Sequence, residues 1–480
     1  MLKVNQKQTR KKNIFLSPYI LALLDAFWVN AGLFLAFELR FWGNVPDYNI
    51  EPFWDIAPWL GIATIVIFSG LGLYEKRRNG YMSVLRASLT GVAGIFMITL
   101  SLTFWLRGFA FPRSVLLLSS ILQMLLISLW RYACWYLEKK IHGLRRLLII
   151  GPREEKEKLL EQVIDFPRGW FKVHKVIDYT SVDQLDEWLE EIDAVLLVPP
   201  FPSEQRARLL ADCRGAGCDV FLVPDFYDIL LLNARMGQLS DLPVMEIKDI
   251  GLTEFQQVIK RIFDIALALL GLILTAPITV TCALLIRLST SGPAFYTQKR
   301  VGRGKRVFHL LKFRTMVEDA EKETGPVLAV DNDPRITGIG RFLRATRLDE
   351  LPQLFNVLKG EMSIVGPRPE RPVFVQEFAQ LYPDYHMRHI IKPGITGLAQ
   401  VVGKYTTSPE DKLKFDLYYM RNYSLLMDFK IILQTIPVLF SRESAGGIKH
   451  DASTFIAVYQ RPGSGTDGSK MPTSTVSLPK

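Results

Sequence analysis

Four long apolar stretches occupy the first third of the chain, at residues 16–41, 53–74, 84–106 and 114–137. Each approaches the ~20 residues that an α-helix needs to cross the hydrocarbon of a bilayer. Backbone groups find no water there, so a run of such segments can fold only as a membrane α-helical bundle. The charges between the blocks set its orientation. Lys3, Lys7, Arg10, Lys11 and Lys12 precede the first block, Lys76, Arg77, Arg78 and Arg86 follow the second, and Lys139, Lys140, Arg145 and Arg146 follow the fourth. The first connection is acidic instead, with Asp47, Glu51 and Asp55, and the third holds only Arg107 and Arg113. Because positive charge stays on the cytoplasmic side, both ends of the bundle are expected there. Asp25 and Glu38 inside the first block are costly in lipid and read as helix-end or interhelical groups rather than as a transport path.

The net charge of +10 could suggest nucleic acid. The cations, however, cluster at the ends of apolar segments, facing anionic headgroups, or among glycine-rich and proline-rich loops, so no nucleic acid is expected. Cys134, Cys213, Cys218 and Cys282 lack metal-ligand spacing and read as small hydrophobes, and His386 and His389 lack it too. Residues 1–13 are polar and basic, and the first apolar block carries no small-residue cleavage site, so no cleavable signal is expected.

The middle of the chain alternates strand and helix. LLIIG, FKVHKVID, AVLLVPP and DVFLVPD read as strands, with helices at residues 154–163, 181–192 and 203–216. This pattern predicts a soluble α/β Rossmann-like domain with a parallel sheet. Its first turn, Gly151-Pro152-Arg153-Glu154-Glu155-Lys156, lacks the later glycines that admit a pyrophosphate, and its two glutamates would repel one. A dinucleotide site is therefore not expected, which argues against a membrane-anchored NAD-dependent nucleotide-sugar enzyme. A spacer or oligomerisation surface, as in a homodimer, is the expected role.

A further apolar block at residues 262–288 is long enough to span a membrane, but Ala276-Pro277 interrupts it. Pro277 removes an N–H and breaks or kinks the helix. Lys260 and Arg261 precede the block and Arg287, Lys299, Arg300 and Arg303 follow it. Positive charge on both flanks predicts a re-entrant hairpin that returns to the cytoplasmic side. The expected division is a basic N-terminus at 1–13, the four-helix bundle at 14–140, the α/β domain at 141–250, a mainly α-helical domain at 251–445 and a polar, disordered tail at 446–480.

The stretch from Arg287 to Gln400 concentrates cations: Lys312, Arg314, Arg335, Arg341, Arg344, Arg347, Arg368, Arg371 and Lys392. With few acids among them they suggest a pocket for a polyanion such as a diphosphate. A non-enzymatic polysaccharide assembly protein would leave this cluster unexplained. Asp349 and Glu350 precede Leu351-Pro352 and a helical run to Lys359 with Gly360 as its stop, which places Pro352 in the first turn. Adjacent acids at a helix start commonly serve only as caps. Beside so many cations and a GPRP turn, the pair instead marks a phosphate site, where a carboxylate can act as nucleophile or bind Mg²⁺.

From Lys260 to Ile436 the chain closely resembles the bacterial sugar transferase family, the monotopic polyprenyl-phosphate hexose-1-phosphate transferases. The resemblance rests on KRIFDIALALLGLILTAPI, KFRTM, DPRIT, RLDELPQLFNVLKGEMSIVGPRPERP, KPGITGLAQV and DLYYMRNYSLLMD, in that order. With four helices and an α/β domain in front, the chain looks like the large type that initiates exopolysaccharide or O-antigen synthesis. The resemblance implies a catalytic domain on the cytoplasmic face of the bacterial inner membrane, with Pro277 at the break of a re-entrant helix. It implies transfer of a sugar-1-phosphate from a UDP-sugar, glucose or galactose by the GPRPERP pattern, to undecaprenyl phosphate. Asp349 would be the nucleophile, forming a covalent sugar-phosphoryl intermediate, and Glu350, with Asp349, would hold Mg²⁺. Lys312, Arg314, Arg368 and Arg341 would hold phosphate, and Gln400 and Asp416 match the family's motifs.

Overall fold

In a computed structural model, described residues are 17–75, 80–105, 112–142, 145–152, 171–178, 188–189, 191–201, 203–247, 249–318, 320, 333–403 and 407–439. The basic N-terminus, Lys76 to Arg78, Arg107, the helix expected at 154–163 and the tail beyond residue 446 lie outside them.

The four apolar blocks form α1 (Pro18–Phe41), α2 (Asp47–Gly70), α3 (Tyr81–Trp105) and α4 (Arg113–His142). Helix α2 starts ahead of its apolar block because its first turn is polar, with Asp47 at the positive end of the helix dipole. Val29, Leu33 and Phe37 of α1 share a core with Phe53 and Phe68 of α2, Ile95 of α3 and Ile127 of α4. Helices α1 and α4 approach closely at Gly32, where a Cβ would lie 2.7 Å from Gln123 Cγ. Gln123 Nε2 uses that approach to donate to Val29 O at 3.0 Å. The opposite faces expose Leu23, Phe27, Trp54, Trp59, Leu125 and Leu129. These helices are long and apolar enough to cross a membrane, and the chain is a membrane protein by that measure. Asp25 pairs with Arg131 of α4, which also donates to Leu73 O at 3.2 Å, so the interhelical reading of this acid holds.

The next segment builds a parallel sheet from β1 (Arg145–Ile150), β2 (Phe171–Ile177), β3 (Ala194–Leu197) and β4 (Asp219–Leu222), in the order β2-β1-β3-β4. Helix α5 (Ser203–Gly215) lies between the last two strands in sequence. Leu148, Ile150, Val195 and Leu197 join one apolar cluster, and Leu147, Ile149 and Ala194 join another. Burial on both faces explains why the Leu147–Ile150 part of β1 and the whole of β3 read as unbroken apolar runs. Gly151 ends β1 where a Cβ would lie 2.7 Å from Val198 Cβ. The rest of that turn, from Arg153 on, lies outside the described residues. A short helix, α6 (Phe226–Leu231), and an exposed hairpin of β5 (Arg235–Leu239) and β6 (Leu242–Glu246) lead onward.

The third region opens with α7 (Glu254–Ser289), started by a capping box between Thr253 and Gln256. Of the break or kink expected at Pro277, the break is absent: the helix runs on through the proline as one element of 36 residues. A proline deletes one N–H of the ladder, and the turns on either side carry the helix across. Both arms of α7 pack on the same body. Arg261 donates to Val357 O and Leu358 O, and Ala268 packs with Phe308 and Leu310. Near the other end Cys282 and Ile286 pack with Phe313 and Leu343. Between them Ile273, Leu274, Ile278 and Val280 are exposed.

That body is more mixed than the mainly helical domain expected. It holds an antiparallel hairpin of β7 (Phe295–Val301) and β8 (Val307–Phe313), then α8 (Gly338–Thr346), a 3₁₀ turn (Leu348–Glu350), α9 (Gln353–Lys359) and β9 (Ser363–Val365). Then come α10 (Pro372–Leu381), a 3₁₀ segment (Pro383–His389), β10 (Gly394–Thr396) parallel to β9, α11 (Leu398–Val402), α12 (Pro409–Arg421) and α13 (Leu425–Leu439). Lys260 of α7 donates to Asp428 of α13 at 2.6 Å and to the Tyr419 hydroxyl of α12 at 3.1 Å, all three buried. Helix α13 in turn docks on the bundle: Gln434 Nε2 donates to Gly70 O at 3.2 Å, Leu433 covers Gly70, and Lys430 pairs with Glu75 at 3.6 Å.

Candidate active site

Asp349 and Glu350 sit in their own 3₁₀ turn, with Pro352 as the N-cap of α9 and not inside its first turn. Gly360 ends α9 at φ 86°, as its place in the sequence predicts. The turn is launched by Arg347, which holds φ 59°. A left-handed conformation is uncommon for a side chain of this size and stores strain beside the acid pair. Arg347 ends α8 and starts the 3₁₀ turn, whose Glu350 meets Lys312 of β8.

Strand β8 supplies the facing cation. Asn356 of α9 accepts from Leu311 N at 3.0 Å and donates to His309 O at 2.8 Å, which locks the strand against the helix. Lys312 then reaches Glu350 Oε1 at 3.0 Å. The same oxygen lies 3.4 Å from Arg368 Nη2 and 3.8 Å from Arg347 Nη1. Burial works against ionisation of Glu350, but Lys312, Arg368 and Arg347 prevail and hold its carboxyl far below the ordinary range. Asp349 goes the other way: burial, then the neighbouring Glu350, push its carboxyl up against the pull of Lys312, Arg347 and Arg344. Its Oδ1 is buried and has no hydrogen-bond partner, although the residue keeps 8% of its surface.

The two acids are therefore different chemical objects. Glu350 is an anchor for cations. Asp349 presents an unsatisfied oxygen, which a native fold leaves buried only for a reason such as reactivity or a ligand. Beside them opens a cleft lined by Arg300, Leu310, Lys312, Gln353, Arg368, Pro369 and Gly394. Three cations around one opening suit a diphosphate.

The structure gathers the predicted residues unevenly. Lys312 and Arg368, expected on phosphate oxygens, both pair with Glu350. Arg314 does not: it is buried against the C-terminal end of α7, donating to the Ser291 and Thr290 carbonyls and the Thr290 hydroxyl. Those carbonyls lack partners within the helix, and the guanidinium satisfies them. Arg341 is exposed on α8, and no described contact joins it to the acid pair. Gln400 donates to Ile395 O at 3.1 Å within the β10–α11 turn, with Oε1 buried and unpartnered. Asp416 is 2% exposed and pairs with Arg388 at 2.8 Å, so it does not face the cleft. Pro277 is exposed on α7. Arg344 and Arg347, read from sequence only as members of the cation cluster, act on the acid pair, Arg347 lying 3.8 Å from Glu350. Arg300, Gln353 and Arg388 enter the site or its support without having been read as site residues.

Among the described residues no three His, Cys, Asp or Glu side chains converge as a metal cage. Mg²⁺ commonly takes one or two carboxylates and completes its shell with water and substrate phosphate. The unpaired Asp349 Oδ1 beside Glu350 fits that arrangement.

Residues 255–442 match the family described as bacterial sugar transferase. The chain is 36% identical over 273 residues to the UDP-N-acetylgalactosamine-undecaprenyl-phosphate N-acetylgalactosaminephosphotransferase of Aeromonas hydrophila, covering 56% of this chain and 64% of that protein. It is 40% identical over 234 residues to the UDP-glucose:undecaprenyl-phosphate glucose-1-phosphate transferase of Escherichia coli (strain K12), covering 48% of this chain and 50% of that one. The matched region thus spans about half to two-thirds of these two relatives. Against the exopolysaccharide production protein PSS of Rhizobium leguminosarum bv. phaseoli, identity is 43% over 190 residues, 37% of this chain and 94% of that relative. The acid pair, its cations and all but the first residue of α7 fall inside the matched segment, and the chain belongs to the bacterial sugar transferase family.

Proposed function

We propose that this protein transfers a sugar-1-phosphate from a UDP-sugar to undecaprenyl phosphate, releasing UMP. The observation that carries this reading is the split acid pair, with Glu350 held by Lys312, Arg347 and Arg368 while Asp349 beside it keeps a buried oxygen without a hydrogen-bond partner. The names of the relatives supply the substrate classes.

In the first step Asp349 Oδ1 attacks the β-phosphorus of the UDP-sugar. A P–O bond to aspartate forms, the P–O bond to the bridging oxygen breaks, and UMP leaves with that oxygen. In the second, a phosphate oxygen of the lipid attacks the same phosphorus, the aspartyl P–O bond breaks, and Asp349 returns as carboxylate. A carboxyl with a raised pKa is a better nucleophile once ionised, so burial serves the chemistry. Lys312 and Arg368 neutralise the charge on the transferring group, which is most of what phosphoryl transfer requires. Glu350 keeps these cations in place between turnovers. Mg²⁺, held by Asp349 and Glu350 with the diphosphate, would supply further neutralisation of the leaving group.

The location is part of the proposal. Both arms of α7 return to one body, which supports a re-entrant helix that dips its exposed middle into one leaflet. Helix α13 docks at the end of α2 that leads to the basic second connection, which supports a cytoplasmic catalytic domain at a bacterial inner membrane. The decisive experiment incubates the full chain in detergent with UDP-sugars labelled in the sugar, without lipid. UMP release with label retained on the protein, and lost on Asp349→Asn, is expected. Turnover without any labelled protein would sink the covalent route.

A further inference from the structure

The segment that carries Arg368 cannot hold itself. In Gly366-Pro367-Arg368-Pro369-Glu370 two prolines remove backbone N–H groups, so the loop must be fixed through its carbonyls. Four in a row are taken from outside. Pro367 O accepts from Gly394 N at 2.9 Å, Arg368 O from Arg388 Nη2 at 3.0 Å, Pro369 O from Arg300 Nη1 at 3.0 Å, and Glu370 O from Val301 N at 3.0 Å. Two of these donors are guanidinium groups. Arg300 is balanced within the loop by Glu370 at 3.5 Å and by Gln298. Arg388 is balanced from α12, by Asp416 at 2.8 Å, with the Tyr385 hydroxyl also accepting from it.

We propose that Asp416 and Arg388 are positioning residues of the transfer site: through the Arg368 carbonyl they hold the Arg368 side chain beside Glu350. This deepens the proposed function and rests on its reading of Arg368 as a phosphate cation. Both partners are almost fully buried, at 2% and 4% exposure. A buried guanidinium without its carboxylate turns to water or to the nearest acid. Here the nearest alternative is Glu370, and turning toward it would release the Arg368 carbonyl and free the side chain to leave the cleft. The groups facing Asp416 are Arg388, Glu370 and Lys412; burial, helped by Glu370, pushes its carboxyl up to about 6 against the pull of Arg388 and Lys412. The clamp therefore weakens as pH falls through that value.

The test measures UMP release by the full chain in detergent, with a UDP-sugar that supports wild-type turnover. Asp416→Asn keeps the volume and removes the charge, and should lower kcat/KM on the order of ten- to a hundredfold, the range for a misplaced catalytic group. Arg368→Ala should cost at least as much, and combining the two should cost no more than Arg368→Ala alone, because one acts through the other. Costs that multiply would overturn the positioning role while leaving Arg368 on the phosphate. Wild-type release from Arg368→Ala would instead remove the parent reading. The ratio of wild-type to Asp416→Asn activity should shrink as pH drops below about 6, and a ratio constant from about pH 5 to 8 counts against the clamp. Should Asp416→Asn fail to fold, Arg388→Lys, too short to bridge Tyr385 and the Arg368 carbonyl, answers through the same cycle with Arg368→Ala.

Discussion

Two buried charge clusters in the C-terminal domain each set a lysine against a carboxylate and behave differently. In one, Lys260, Asp428 and Tyr419 close on each other: lysine donates to both partners, and the tyrosine donates to the second carboxylate oxygen at 2.6 Å. Each Asp428 oxygen has a partner, and the triad binds α7, α12 and α13 into one unit. In the other, cations outnumber acids. Glu350 has three cations within reach and Asp349 has an oxygen with none bonded to it. A cluster that balances itself serves stability. One left with surplus charge and an open side is poised for a ligand, here an anionic one.

The contrast can be broken by variants that move activity and stability separately. Asp349→Asn should cost the most, on the order of a thousandfold or more in UMP release, since the nucleophile itself is gone. Its thermal midpoint at neutral pH should hold or rise. The sign follows from linkage: a carboxyl whose folded pKa is raised binds its proton more tightly when folded. Its ionised form therefore opposes folding at pH 7, and the amide removes that penalty. Marked destabilisation would mean that Asp349 is structural. Lys260→Met should do the reverse. It strands Asp428 with only Tyr419, which should cost about 3–5 kcal/mol in chemical unfolding while kcat of the folded fraction stays near wild type. Lys312→Met should lower kcat by about a hundredfold, the usual effect of losing one preorganised cation or donor, with little change in unfolding.

The smallest effect is read against pH. His389 is buried beside Arg388, and burial, with that charge second, pulls its pKa from 6.5 to about 4. A histidine whose folded pKa is depressed stabilises the fold above its unfolded value, and that contribution is lost as pH falls toward the folded one. Stability should therefore decline between about pH 6.5 and 4, by no more than about 3 kcal/mol. His389→Gln should flatten the decline in denaturant midpoints, and an unchanged slope would assign it to other groups.

Much of this was legible in the sequence, because the signals were local. Helix length in lipid and the alternation of loop charge place α1 to α4, and unbroken apolar runs mark the strands buried on both faces. Asp349 and Glu350 stood out for their neighbours in sequence, and Lys312 and Arg368 meet Glu350 as the clustering of cations suggested. Arg314 carries the same local signal and goes elsewhere, to the carbonyls at the end of α7. A list of cations cannot distinguish a guanidinium aimed at a ligand from one that caps a helix. Pro277 shows the same limit for backbone: its cost in the helix is readable, but whether neighbouring turns absorb it depends on what both arms pack against.

Composition, period and charge order determined that the chain enters a membrane, carries a parallel α/β unit and gathers cations around two acids. Each of these depends on residues close together in sequence. Which acid keeps a free oxygen, which cations reach it, and that Asp416 supports Arg368 without touching the cleft were decided by tertiary structure alone. Charges act over a few ångströms of space. The residues that share those ångströms here, from β8, the 3₁₀ turn, the Pro367–Glu370 carbonyls and α12, run from Lys312 to Asp416 along the chain.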